Sequence, residues 1–151
     1  MQQTLAARAP MHLWIVGGLS LLWNAFGCLD YFMTRTRGAE WIKAAMADVD
    51  ANAYMAYIND FPIWASIGWG LGVWGALAGS IFLLTRSRWA VAAFGISLLG
   101  AVLGMGYQLI NPAMVSGLDP TMNAVMPFVI IIVALALFLY ARAMRARGVL
   151  R

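Results

Sequence analysis

The chain has 151 residues, 63% of them hydrophobic and only 11% charged, with a formal net charge of +4. A water-soluble domain of this size has no use for so much apolar surface, and a single Cys and a single His exclude an intramolecular disulfide, a cysteine-based metal site and ligation by paired histidines. The basic excess does not indicate a nucleic-acid partner, because the apolar blocks leave no stretch long enough to fold into a basic surface.

Those blocks, at 13–32, 61–84, 89–110 and 125–141, are each close to the ~20 helical residues that cross a hydrocarbon core of about 30 Å. The expected fold is all-α: an integral membrane four-helix bundle forming one domain, with spans at about 13–34, 61–84, 89–110 and 121–145. Residues 1–10 are short and mildly polar, and Ala9-Pro10 opens the first span, with His12 near the membrane surface. At 100° per residue, Ser20, Asn24, Gly27, Tyr31 and Thr34 share one narrow stripe with Asp30 beside it, while Leu21, Leu22, Ala25, Phe26 and Leu29 cover the rest. An amide within hydrocarbon, with a carboxylate close to its edge, must meet a partner, so this stripe should face a bundle or a wet cavity. Ala25-Phe26-Gly27-Cys28 has the outline of a lipoprotein cleavage site, but the bulky Phe26 and the polar Asn24 argue for an uncleaved span.

Residues 35–60 form the one substantial loop. In it, 39–49 reads as a surface helix, with Trp41, Ala45, Met46 and Val49 opposite Glu40, Lys43 and Asp48. Asp50-Ala51-Asn52 interrupts it, and Tyr54, Met55, Tyr57 and Ile58 form a second apolar patch, so the loop should be partly helical and fold back on the bundle mouth. Asp60-Phe61-Pro62 reads as a capped start to the second span. Within that span Gly68, Gly72, Gly75 and Gly79 make a smooth groove flanked by Trp64, Trp69 and Trp74, the kind of face that lets another helix approach closely. The third span answers with Ser97, Ala101, Gly104 and Gln108 on one stripe and Gly100 beside it, predicting a closely packed hairpin. It ends at Asn111-Pro112. Asp119-Pro120 caps the fourth span, which is apolar all round and has a kink expected near Pro127.

Arg8, Arg86, Arg88, Arg142, Arg145, Arg147 and Arg151 fall at one end of this arrangement, and Asp30, Glu40, Asp48, Asp50, Asp60 and Asp119 at the other or at its edge. By the positive-inside rule both termini should lie in the cytoplasm and the 35–60 loop outside. No catalytic constellation emerges, and the glycine spacings match no phosphate loop. The groups that converge at the loop end are Asn24, Asp30, Tyr31, Trp64, Tyr107, Gln108 and Asn111, with Tyr54, Tyr57, Asp60 and Asp119 nearby. Amides, carboxylates and rings together suit a cation, a sugar or the head of a quinone. The same residues also serve as an interfacial aromatic belt and as helix caps.

At Trp23-Asn24-Ala25-Phe26-Gly27-Cys28-Leu29-Asp30-Tyr31-Phe32-Met33-Thr34, and again at Trp74-Gly75 and 84–90, the chain resembles a group of short four-span bacterial inner-membrane proteins, some loosely labelled sugar transporters. In topology and size alone it is also similar to DoxX-like four-helix proteins. The resemblance implies a bacterial inner-membrane location and transfers no binding residue. Two functions are then expected. The first is a non-enzymatic accessory or structural subunit, whose partners are the lipid bilayer and a second protein or a second copy. The alternative is a small-molecule carrier working as an oligomer, with its site at the Asn24, Asp30 and Gln108 mouth. No metal is expected, and the sequence names no cofactor.

Overall fold

The computed structural model describes residues 9–151, so Arg8 and the segment before Pro10 lie mostly outside the described residues. Six helices follow in order: α1 (Met11–Arg37), α2 (Ala39–Ala45), α3 (Ala51–Asn59), α4 (Ile63–Leu84), α5 (Trp89–Ile110) and α6 (Pro120–Ala146), with no strand among the described residues. Helices α1, α4, α5 and α6 are long and apolar enough to cross a membrane, which makes the chain a multi-pass membrane protein. At 1.5 Å per residue the 22 residues of α4 span about 33 Å, one hydrocarbon thickness, whereas the 27 of α1 reach about 40 Å and carry Arg35 and Arg37 beyond it.

The spans pack in sequence: α1 on α4, α4 on α5, and α5 on α6. The α4–α5 seam is the tightest because glycines meet backbone there. A Cβ on Gly75 would stand 3.0 Å from the Ser97 nitrogen, one on Gly104 would stand 2.9 Å from the Trp69 nitrogen, and one on Gly100 would stand 2.6 Å from the Gly68 carbonyl oxygen and overlap Gly72. Gly79 leaves room for the Phe94 ring. Ser97 Oγ donates across the seam to the Gly72 carbonyl at 2.7 Å.

The stripe on α1 packs against α4. Ser20, Asn24, Cys28 and Thr34 are buried along it, and Cys28 Sγ donates to the Val73 carbonyl. At the basic end of the bundle, Leu13, Leu83, Ala90, Phe94, Leu137, Ala141, Met144, Val149 and Leu150 close a solid core. The C-terminal residues turn back over it: the Arg151 N–H donates to the Arg86 carbonyl, and the Arg88 N–H to the Arg151 carbonyl.

Two local expectations change. The surface helix stops at Ala45 and buries Ile42, leaving Ala45 exposed, because the chain bends after Met46 to place the Asp50 N–H on the Ser116 carbonyl. Asp50 then caps α3, its carboxylate accepting from the N–H groups of Asn52 and Ala53. Asp60 does not cap α4. It closes the C-terminus of α3, its own N–H donating to the Ala56 carbonyl and the next N–H, of Phe61, to the Ile58 carbonyl, and α4 begins after Pro62 without a side-chain cap. Asp119 caps α6 through Thr121 and Met122, and α6 runs helical through the buried Pro127.

Candidate functional site: a cavity inside the bundle

Above the solid core all four spans contribute to the wall of a cavity of about 280 Å³. Phe94 and Leu137 belong to both the core and the cavity wall and so form its floor. Helix α1 contributes Trp23, Asn24, Phe26, Gly27 and Asp30, and α4 contributes Trp69, Gly72, Val73 and Ala76. The α5 wall is Ser97, Ala101 and Met105, and the α6 wall is Met126, Ile130, Val133 and Ala134. These are mid-helix positions, so the cavity lies at membrane depth. Its wall is mainly apolar, with a few polar groups that would fix a ligand's orientation.

Asn24 is a buried polar group of this wall, only 7% exposed. Its amide nitrogen donates to the Ala76 carbonyl at 3.2 Å and to Ser80 Oγ at 2.9 Å. Because a backbone carbonyl can only accept, the NH₂ must face α4, and this fixes which end of the amide carries the oxygen. That oxygen receives no protein hydrogen bond, yet no side-chain oxygen among the described residues is both fully enclosed and unpartnered. Asn24 Oδ1 is therefore not fully enclosed, and its residue lines the cavity. The tie runs from α1 to α4, because the turn of α1 that carries Asn24 lies over Ala76 and Ser80. Ser97 spends its hydrogen on Gly72 and retains its oxygen lone pairs.

Asp30 lies at the loop end of the cavity, where Trp41 of α2 donates its indole N–H to Oδ1 at 2.9 Å. The same contact pins the short surface helix onto the bundle. Trp41→Phe keeps an aromatic ring, though a smaller one, and removes the donor, so residues 39–45 should exchange their amide hydrogens faster while the core of α4 and α5 is unchanged.

Of the seven candidate residues, Asn24 and Asp30 line the cavity. The other five are placed outside its wall. Tyr31 meets Trp69 edge-on at 4.9 Å between ring centres, and the Arg35 guanidinium lies 5.7 Å from the Tyr31 ring and 5.2 Å from the Trp69 ring. Tyr107 meets Phe61 at 5.0 Å and the exposed Trp64 at 5.6 Å. Gln108 Nε2 rests on Met105 Sδ at 3.7 Å, and the Asn111 side chain turns back to the Tyr107 carbonyl. The Asn111 carbonyl accepts from Tyr57 OH at 2.7 Å. Burial, and then the neighbouring Tyr54 and Tyr107, push the Tyr57 hydroxyl up to about 12, so this donor stays protonated at physiological pH. Burial, with the Asp30 charge second, also raises Tyr54. These rings form a rim that holds α3 on the bundle.

The sequence did not single out Phe26, Val73, Ala76, Met126 or Ile130 as wall residues. In hydrocarbon a side chain facing a cavity and one facing lipid are chemically alike, and only Asn24 broke the pattern. Among the described residues no three His, Cys, Asp or Glu side chains converge as a metal site would require. Comparison of the chain with known protein families, characterised proteins and solved structures finds no match.

Proposed function

We propose that this chain is a non-enzymatic ligand-binding protein of a bacterial inner membrane, holding one small, mostly apolar molecule inside its bundle as a carrier does. The observation that supports this reading is the Asn24 amide, more than nine-tenths buried in the wall of an apolar cavity at membrane depth, with its oxygen left without a protein partner. A helix tie needs only the NH₂ side. An acceptor left without a partner in hydrocarbon is costly, and a bound donor removes that cost. The volume, near the ~300 Å³ lower end of ligand pockets, sets the scale of what fits inside. Mass spectrometry of the intact complex, released from its native membrane in mild detergent, tests the proposal. A small-molecule adduct is expected on the chain. A bare chain accompanied by a second protein would favour the accessory-subunit reading, which draws support from the exposed apolar face of α6 at Phe128, Ile132, Leu135 and Leu139.

The Arg distribution supports cytoplasmic termini. A reporter fused after Arg151 should be active in the cytoplasm and one inserted at Asn52 outside it. Cytoplasmic activity at Asn52 would reverse the orientation.

A further inference from the structure

Resting on the reading of the cavity as a ligand site, we infer that its ligand is a hydroxyl-bearing lipid that enters sideways from the bilayer, through a slot between α1 and α6. Three neighbouring pairs of spans share a packed seam, and α1 with α6 does not. These two helices meet at the basic end, where His12 Nδ1 and Tyr140 OH are hydrogen-bonded and their rings cross edge-on. Farther along they part, and the cavity wall passes from one to the other. Trp23, Phe26 and Met126 line the cavity while remaining 44%, 66% and 37% exposed, so they stand at the edge of an opening on the outer surface. Gly27, on the same edge, has no atom within 4 Å of where a Cβ would project. At this depth the outer surface is hydrocarbon, so the opening admits solutes of the lipid phase.

The oxygen-bearing side chains on the wall offer acceptors: Asn24 Oδ1, Ser97 Oγ after its own donation, and the Asp30 carboxylate. They call for a donor on the ligand. Asn24 and Ser97, the two buried ones, are neutral, which favours an alcohol over a cation at mid-membrane. About 280 Å³ accommodates a head and the first part of a chain, and the slot lets the remaining tail lie between α1 and α6 in the bilayer.

The test uses the full chain in phospholipid vesicles with a photoreactive hexadecanol as probe, and labelled residues are mapped by mass spectrometry. Labelling is expected on cavity residues of α1 and α6, to be displaced by unlabelled hexadecanol and not by hexadecane. Gly27→Leu meets open space and so leaves folding intact, but its side chain occupies the slot. Cavity labelling should fall about tenfold, the change that corresponds to losing ~1.4 kcal/mol of binding. Gly18→Leu, also in open space but outside the cavity wall, should label as the parent does. Undiminished cavity labelling in Gly27→Leu, or equal displacement by the alkane, overturns the inference. So does the absence of displaceable cavity labelling in the parent. If the intact complex still carries an adduct in any of these cases, the ligand-binding reading stands without the lipid alcohol or its lateral route; if it carries none, both fall.

Discussion

Gly100→Leu should prevent the α4–α5 hairpin from closing. The atoms that a side chain would meet there are the backbone of Gly72 and the Gly68 carbonyl, which cannot swing aside as the end of a flexible side chain can. Overpacking ordinarily costs ~1–3 kcal/mol, and a clash with backbone on the tightest seam of the bundle belongs at or above the top of that range. Gly75→Leu, facing Ser97 and Ala93 at 3.0 and 3.1 Å, should follow closely. The same change at Gly106, where a Cβ meets nothing within 4 Å, should move stability by less than about 0.5 kcal/mol, as surface substitutions do. Thermal unfolding in detergent checks all three. Equal midpoints for Gly100→Leu and Gly106→Leu would refute the seam.

Asn24→Ala should lower stability and ligand retention together, because the amide serves two purposes at once. Loss of its donations to Ala76 and Ser80 removes an interhelical tie worth about 0.6–2 kcal/mol in membranes. Loss of its oxygen removes one hydrogen bond to the ligand, a change of about tenfold in affinity if that bond contributes ~1.4 kcal/mol. Ser80→Ala separates the two effects. Ser80 is fully buried on α4 and is not among the cavity-lining residues, so its removal weakens the tie and leaves the Asn24 oxygen in place. Stability should fall in both variants and retention only in Asn24→Ala. Asp30→Asn keeps an acceptor for Trp41 and should change little if the ligand is neutral. A complete loss of retention in Asp30→Asn would instead mark a cationic ligand.

Much of the fold could be read from the sequence because hydrocarbon imposes few choices. Unbroken apolar blocks of the right length had to become helices, and polar residues recurring at helical spacing on the first span had to face other helices; Ser20, Asn24 and Thr34 are buried along α1. The glycine spacings named a contact face, and the structure sets that face of α4 against α5. Less could be read where alternatives were close in energy. An Asp ahead of a Pro caps a helix at Asp119, whereas at Asp60 the preceding helix ends too near and takes that residue for its own C-terminus. Only two of the seven candidate site residues line the cavity, because aromatic and amide groups that converge at a helix end in sequence can equally well pack edge-on against neighbouring rings, as Tyr31 does on Trp69 and Tyr107 on Phe61. A void between apolar walls leaves no mark on composition.

If a ligand occupies the cavity, filling that space from within should expel it. Ala134 is buried on the α6 wall, and Ala134→Leu would project the added methyl groups into the cavity. The decisive quantity is the amount of small molecule extracted per chain from parent and variant, purified alike in mild detergent at matched yield. The proposal predicts one species retained by the parent and lost from Ala134→Leu. A parent that retains no more than the variant, while Ala134→Leu simply melts at higher temperature as a filled void would, contradicts it.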